Sequence, residues 1–595
     1  MAYPSLTHTR MIQAGFWCLV WVLNCLLFFP VYVMNRGITT FWPSSTLEAG
    51  VHLGPWLMVF VRNNLDMFRI SADWLLMVTG MILIAPFRRP GRIVAWICAG
   101  AYTVLLVYQV YFAVMTHLYG QHPSITNDLV LAREVLPIYL GQITHGSGWR
   151  YPLMGIGVVL ALMAVGSLVL LLGRWAAEVS RHRMHWVVLG GCWLLAGGIL
   201  LKNRSDTHRY VYQSVQWIGR QAAVSLQDNH QELFTELKEK KVYGEYMQLT
   251  LRRKPNVYLL FTESYGRCMA VKPWGRDRYP QDMARLADTL RAGGWHSASV
   301  YSLAPVLGGR SWLSFTTVMS GVSLYDQLQF NTLTGQYPDY PHMIRYFASQ
   351  GYQTYRLKTF AKQEGSTDAA YALQERFYGF DRWIKHHEIP YRGFKYDFNG
   401  GIPDQYALDW FQETVADTTV PRFLFFISMA SHWPWFPPPV LGDGWEHLDT
   451  VQADPYRIPV PDTLLSEYDQ YMLRLEEKIG PRYYRTIIYD LEVFTRFILE
   501  HGRPDDIFLI IGDHQPPMVT AYGIDGLESP IHVISRDPAL VSGFGEAGFR
   551  PGMEADTTLP APMTHAGVYS LLMRQMLKQY GTDPSRLPAY LPEGL

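Results

Sequence analysis

Three short stretches of this chain carry residue types that together could run metal-assisted nucleophilic chemistry. Glu263 ends the apolar run NVYLLFT, Ser311 follows the Gly308–Gly309 loop in YSLAPVLGGRSWLSFTTVMSG, and Asp513–His514 follow the apolar run DDIFLIIG. Two carboxylates, an imidazole and a hydroxyl make a four-coordinate donor set suited to one divalent metal, Zn or Mn. Serine near pH 7 is a poor attacker, and a cation beside Ser311 would lower its hydroxyl pKa and make it a nucleophile. Ser311 also opens a helical pattern (Trp312, Phe315, Val318, Met319) that stops at Gly321. A helix N-terminus offers unpaired N–H groups and a positive dipole end, which suit a phosphoryl group or an ionised hydroxyl. Each piece has a plainer alternative: Ser311 as an ordinary N-cap and Glu263 as a helix cap. Asp513–His514 after a fully apolar run are harder to explain as packing, because buried charges are rare without partners.

The elements that must hold these residues begin at Pro255. From there apolar or β-rich runs alternate with helical patterns, the signature of a mostly parallel sheet with helices on both faces. The expected strands are Val257–Phe261, Ser297–Tyr301, Thr354–Leu357, Phe423–Ser428, Ile507–Ile511 and Ile531–Ser535. In such a sheet ligands gather beyond the carboxyl ends of the strands, where Glu263 and Asp513–His514 fall.

The first third of the 595 residues reads differently. Apolar runs at Gln13–Val33, Ser71–Phe87, Ile93–Leu118, Pro152–Leu172 and Trp186–Leu201 predict five transmembrane helices, two of them shorter than the ~20 residues a bilayer demands. His52–Phe60 is too short to span and is expected to be interfacial or re-entrant. Gln13–Val33 lacks a small-residue cleavage site, which argues against a signal peptide. Arg88, Arg89 and Arg92, then Arg174, Arg181 and Arg183, mark the loops expected on the cytoplasmic side, so the chain after Leu201 is expected outside. Residues 202–254 read as an amphipathic connector at the membrane surface or an ordinary linker, with Val211, Val215, Ile218 and Ala222 on one face. The domains expected are therefore 1–201 transmembrane, 202–254 connector and 255–595 catalytic. Equal counts of 51 basic and 51 acidic residues give no argument for nucleic acid as a partner. Cys268 is the one thiol of the exported part, so no disulfide can form within it.

Taken together, FTESYGR around Glu263, Ser311 ten residues before Gly321, SHWPW at 431–435, YGFD at 378–381, YDLEVFTRFI at 489–498 and GDH at 512–514 carry a family likeness. In their order and spacing they resemble the metal-dependent phosphotransferases of the alkaline phosphatase/sulfatase superfamily. Within it, the five-helix lipoteichoic acid synthases, phosphoglycerol transferases and phosphoethanolamine transferases are nearest. The resemblance implies an α/β/α sandwich of the alkaline phosphatase type. It makes Ser311 the nucleophile and Glu263, Asp513 and His514 metal ligands beside its oxygen. It gives His432 contact with the substrate phosphate or protonation of the leaving group, and makes His565 a further active-site residue. Arg267 and Arg310 flank the metal ligand and the nucleophile, where a guanidinium could clamp phosphate oxygens; the alternative for each is a surface residue. Three features depart from the relatives. Ser311 precedes Trp-Leu-Ser-Phe rather than x-Pro-x-Arg, which argues against sulfate-ester hydrolysis. The Trp and Arg pair that lipoteichoic acid synthases use on glycerol phosphate is missing near Lys358–Tyr371, and the exported-domain disulfides of the lipid A phosphoethanolamine transferases are absent.

The function expected is transfer of a phospholipid headgroup, phosphoethanolamine or phosphoglycerol, through a phosphoserine onto an envelope glycan or polysaccharide. The setting implied is a bacterial cytoplasmic (inner) membrane, with a membrane phospholipid as donor and the catalytic part facing the periplasm or exterior. One alternative is a membrane-tethered phosphodiesterase or phosphatase with water as acceptor; another is a non-catalytic scaffold or sensor of the same fold. Phe436–Arg482, Pro-rich and then charged, is expected to be a lid or acceptor-binding insertion, or an inert excursion.

Overall fold

The computed structural model describes residues 6–34, 69–119, 150–202, 242–360, 368–393, 401–433 and 479–595, apart from 517–518 and 521–524, with isolated positions between these stretches. The insertion at 436–478, the 211–222 face and the His52–Phe60 patch therefore lie almost wholly outside the described residues. The chain divides into two compact units, chiefly Met1–Leu129 with Leu136–Asp228, and Asn229–Thr520 with Asp525–Leu595.

The first unit holds helices α1 (Leu6–Met34), α2 (Ala72–Ile84), α3 (Arg88–Tyr119), α4 (Arg150–Val179) and α5 (Arg183–Lys202). Among the described residues only three are long and apolar enough to cross a membrane, over Thr9–Met34, Arg89–His117 and Gly155–Val179. This corrects the expectation of five transmembrane helices. The run at Ser71–Phe87 yields a helix of 13 residues, roughly 20 Å at 1.5 Å per residue against a ~30 Å hydrocarbon core. The last run forms α5, which opens on Arg183 and brings His185 into a hydrogen bond with Trp17 Nε1 (3.0 Å) instead of leaving a wholly apolar span. Large apolar side chains such as Trp96, Ile97, Val104, Leu160 and Met163 face outward on the long helices, as lipid-facing positions do. Polar groups pair inside: Tyr102 donates to the Leu23 carbonyl (2.6 Å) and Trp193 to Thr79 (3.0 Å), since an unpaired polar group in hydrocarbon is expensive.

The second unit is built on an eight-stranded sheet. Its strands are β1 (Val257–Thr262), β2 (His296–Leu303), β3 (Gln353–Leu357), β4 (Arg382–Ile384), β5 (Arg422–Ile427), β6 (Ile507–Gly512), β7 (Glu528–Ser535) and β8 (Arg550–Pro551), in the spatial order β8-β2-β7-β6-β1-β5-β3-β4. All six strands expected from the apolar runs are present: five are extended by one to three residues, and the one expected at Phe423–Ser428 is shifted by a residue to Arg422–Ile427. The sheet is mixed rather than mostly parallel. β6, β1, β5, β3 and β4 pair in parallel, whereas β7 runs against both β6 and β2, and β8 against β2. The reason is local: no crossover helix separates β6 from β7 among the described residues, so the chain turns back beside the strand it has just left.

β1 and β6 are buried along their whole length. Val257, Leu259 and Phe261 pack into one layer with Leu313 and Val318, while Tyr258 and Leu260 pack into the other with Tyr483 and Phe494. Both faces are covered, which is why these strands read as unbroken apolar runs. Four further helices matter for the site: α6 (Ser311–Ser320), α7 (Asp404–Trp410), α8 (Ile479–His501) and α9 (Gly567–Tyr580).

Candidate metal centre

Strand register brings the first two ligand candidates together. Thr262 of β1 pairs with Gly512 of β6, so Glu263 and Asp513 leave the sheet side by side, about one strand spacing (~4.8 Å) apart. Position 512 admits only glycine, because a Cβ there would lie 1.9 Å from the Tyr265 carbonyl oxygen. From β2, the loop through Ala304 returns to the same edge and delivers Ser311 as the first residue of α6. Arg310, not Ser311, is the residue before the helix, so the serine is not a capping residue. Its Oγ donates to Glu263 Oε2 (3.0 Å) and lies 3.1 Å from His514 Nε2.

Orientation of His514 follows from its other nitrogen. Nδ1 lies 2.9 Å from the Gln515 carbonyl, which can only accept. The proton therefore sits on Nδ1, and Nε2 points its lone pair into the cluster. Nε2 is 3.3 Å from Asp513 Oδ2 and 3.6 Å from Glu263 Oε1. Asp513 Oδ1 is satisfied by the backbone N–H groups of Ser264 and His514 (both 2.7 Å). Asp513 Oδ2 is buried without any hydrogen-bond partner.

That orphaned oxygen tests whether the residues fit a metal. Ligand atoms of Glu263, Asp513 and His514 all lie within 4.8 Å of one another, in residues that are all buried. Donors bound at 2.0–2.2 Å around a tetrahedral ion stand roughly 3.4 Å apart, close to the 3.0–3.6 Å separations of the serine, imidazole and Glu263 atoms. Without a cation the electrostatics are frustrated. Burial, then the charge of Glu263, pushes the Asp513 carboxyl well above its ordinary range. Burial also pushes Glu263 up, but nearby His514 and His432 and the hydrogen bond from Ser311 outweigh it and hold that carboxyl low. Burial lowers His514 while Glu263 beside it raises it, and the net shift is down. Two carboxylates that cannot both ionise, an orphaned oxygen and a lone pair turned inward are what a divalent ion resolves.

Backbone strain marks the same three loops. Among the described residues, the non-glycine residues with positive φ are Ser264 (60°), Arg310 (55°) and Trp435 (56°). They adjoin Glu263, Ser311 and the His432 loop respectively. Such conformations cost energy and persist only where surrounding structure enforces them. At Ser264 the enforcement is visible, since Tyr483 of α8 donates to its carbonyl (2.7 Å).

The remaining site residues expected from sequence fall into two groups. His432, in the loop after β5, stands near enough for its charge to act on both Glu263 and His514. Its Nδ1 faces the Trp433 carbonyl at 2.5 Å, so Nε2 is the basic nitrogen. Arg310 is buried beside Ser311. His565 does not reach the cluster: it is fully buried, with Nδ1 on Ser302 Oγ (2.9 Å) and Nε2 donating to the Gly512 carbonyl (3.0 Å). Burial pushes its pKa down to about 4, so a neutral ring braces the end of β6 from beneath. Arg267 pairs with Glu528 (3.2 Å) and donates to the Thr557 carbonyl (2.9 Å), which ties its guanidinium away from the serine.

Sequence reasoning missed Ser428, Ser431, Asp404 and Asp490. Ser428 Oγ accepts the N–H of Glu263 (3.1 Å) and lies 3.0 Å from Ser431 Oγ. Asp404 accepts the N–H groups of Met429 and Ala430. A signal existed for Asp490: it interrupts the apolar stripe Tyr483, Ile487, Phe494, Phe497 of α8, where a carboxylate has no packing reason to be.

A second cluster, Asp409, Glu500 and His501, also gathers metal-ligating residue types, but it is partly exposed.

Residues 255–526 match the Sulfatase family. No curated protein matched the chain. Among solved structures, the lipooligosaccharide phosphoethanolamine transferase EptA of Neisseria meningitidis aligns at 14% identity over 95% of each chain, with a TM-score of 0.40. The lipoteichoic acid synthase LtaP of Listeria monocytogenes aligns at 17% identity over 49% of this chain and 70% of its own, TM-score 0.32. The phosphoglycerol transferase GacH of Streptococcus pyogenes aligns at 12% identity over 59% and 86%, TM-score 0.33. The motifs and the buried donor set at one sheet edge lie within the stretch 255–526 that matches the Sulfatase family.

Proposed function

We propose that this protein transfers a phospholipid headgroup, phosphoethanolamine or phosphoglycerol, through a phosphoserine on Ser311 to a hydroxyl of an envelope glycan. One observation carries the reading: the Ser311 hydroxyl stands 3.0 and 3.1 Å from Glu263 and His514, inside a cluster whose third member has an orphaned carboxylate oxygen. A serine in such company is a nucleophile-in-waiting rather than a cap.

Glu263, Asp513 and His514 would hold one divalent ion, zinc or manganese, with Ser311 beside it. When bound, that ion supplies positive charge that favours loss of the serine proton to solvent and offsets charge on the phosphoryl oxygens. The rest is done by the chain. Ser311 Oγ forms a bond to phosphorus as the bond from phosphorus to the diacylglycerol oxygen breaks. His432 gives that oxygen a proton. In the second half an acceptor hydroxyl attacks phosphorus, His432 takes its proton, and the Ser311 ester bond breaks. The N-terminus of α6 adds N–H donors towards the phosphoryl group. Arg310 would contribute charge from its place beside the nucleophile.

Among the described residues, three apolar helices of spanning length support a membrane-embedded enzyme whose donor is a membrane phospholipid.

The test is incubation of the detergent-solubilised, metal-loaded protein with headgroup-labelled phosphatidylethanolamine and phosphatidylglycerol, followed by mass spectrometry of the Ser311 peptide. A headgroup phosphate adduct on Ser311, discharged by added envelope glycan, is expected. Lipid turnover by Ser311→Ala would overturn the mechanism. Release of free headgroup phosphate at the same rate with and without glycan would make the enzyme a phosphodiesterase instead.

A further inference from the structure

The loop that carries His432 is held from below by two carboxyls that the proposed chemistry does not use. Asp404, the first residue of α7, is fully buried. Its Oδ2 accepts both the Met429 N–H (3.0 Å) and the Ala430 N–H (2.9 Å), and its Oδ1 lies 2.9 Å from the same Met429 nitrogen. Asp490, on the buried face of α8, is also sealed from solvent. Asp404 and the hydroxyls of Ser428 and Ser431 act on its carboxyl, yet neither oxygen completes a well-formed hydrogen bond. Ser428 in turn accepts the Glu263 N–H (3.1 Å) and meets Ser431 at 3.0 Å. One continuous set of polar contacts thus runs from the carboxyl pair to the backbone of a metal-ligand candidate and to the turn bearing His432.

A buried carboxyl pair is a poor way to stabilise a fold, because desolvation of each charge costs several kcal/mol and apolar side chains would pack there more favourably. Two adjacent carboxyls away from water share one proton rather than ionise together. Burial raises both, Asp404 further because Asp490 lies beside it. Resting on the reading of Ser311 as nucleophile and His432 as proton carrier, we infer that Asp404 and Asp490 are positioning residues. They fix the Ser428–His432 turn, and through it set the place of the His432 ring and of the Glu263 backbone.

The experiment uses full-length, metal-loaded protein in detergent, with fluorescent phosphatidylethanolamine as substrate and hydrogen exchange of the peptide containing Met429 and Ala430 as a readout independent of turnover. In Asp404→Ala, exchange of these amides should rise at least ~10-fold. kcat should fall by about 30–100-fold, as expected for a displaced catalytic group, while KM stays within about twofold and metal content is unchanged. Asp404→Asn should restore both readouts to within about threefold of wild type, because its amide carbonyl can accept the two N–H groups and its NH2 can donate where the shared proton did. If Asp404→Ala does not fold, Asp490→Asn carries the same test. It turns donors towards Ser428 and Ser431 and should lower kcat with KM kept. Unchanged exchange in both variants overturns the inference. So does a kcat that falls only in step with lost metal, or an Asn variant at 404 no better than Ala. Raised exchange in a protein whose wild type never turns over lipid would support the clamp and sink the transfer reading, so the two failures are distinct.

Discussion

Two clusters in the same unit use the same three side-chain types and end up as different objects. Glu263, Asp513 and His514 are all buried, whereas of Asp409, Glu500 and His501 only the first is. In the second cluster every group already has a partner: His501 Nε2 pairs with Asp409 Oδ1 (3.1 Å) and Glu500 with Arg496 (2.7 Å). In the first, Asp513 keeps an oxygen with none and a serine hydroxyl stands among the donors. Residue type alone does not distinguish a ligand set from a strap between helices. What does is unsatisfied, desolvated charge, because protein that leaves a buried acceptor empty is under free-energy pressure to bind something.

The sharpest way to break this comparison is to remove one member of each cluster. Asp513→Asn should reduce bound metal from about one ion per chain to nearly none and abolish transfer, a loss of at least ~10³-fold. Ser311→Ala should lose transfer to a similar degree while retaining most of the metal. Asp409→Asn should leave metal content as it was. Elemental analysis of the purified variants checks all three, and loss of the ion on changing Asp409 would invert the assignment.

Acid should also separate buried imidazoles from exposed ones. Ser299 donates to the Gly552 carbonyl (2.7 Å), so its oxygen accepts from His532 Nδ1–H (2.7 Å), and His532 Nε2 must then accept from Tyr265 (3.1 Å). Protonating that ring would set it against the tyrosine proton. Burial accordingly lowers His532 to about 3, and His342 likewise, from 6.5. A folded pKa below the unfolded one gives stability that is complete above 6.5 and drains away as pH falls towards 3. Each such histidine should contribute about 1.4 kcal/mol per pH unit inside that window. Denaturant melts followed by tryptophan fluorescence between pH 7.5 and 4.5 check this. His532→Asn should flatten the slope by one proton's worth, and an unchanged slope would refute the account.

How much of this could be read from sequence follows from the same physics. The strands were legible because burial on both faces leaves long apolar runs, and Gly-Asp-His after such a run was legible because nothing else explains a charge there. Strand direction was not: β7 is buried from Ser529 to Ser535 much as the parallel strands are, and it is the lack of a crossover helix among the described residues that sets it antiparallel. Span count failed because apolar composition over Ser71–Phe87 does not reveal that the helix stops at Ile84. The bracing role of His565 was hidden too, since its partners are a serine and a carbonyl distant in sequence. Asp404 in GIPDQYALDW looks like a solvated helix start, yet it is fully buried.

A smaller effect tests how the first cluster is kept in shape. Tyr483→Phe removes the hydrogen bond to the strained Ser264 carbonyl and should cost about 1–2 kcal/mol of stability. Because Ser264 N–H also binds Asp513, kcat should fall by about 10-fold, more than the stability loss alone would cause.

The smallest effect belongs to the other cluster. His501 closes α8 and Asp409 sits on α7, and their side chains are 16% and 7% exposed. An ion pair at such a boundary gains little over hydration, on the order of 0.5–1 kcal/mol. His501→Ala, paired with Asp409→Asn and the double variant, should therefore shift the melting midpoint by a few degrees at most, with a coupling energy below about 1 kcal/mol. Transfer activity should stay within about twofold of wild type, because neither residue touches the loops that carry Glu263, Ser311 or His432. A drop in activity comparable to that of Asp513→Asn would mean that the half-exposed cluster, too, is a working site, and satisfied partners would no longer identify a strap.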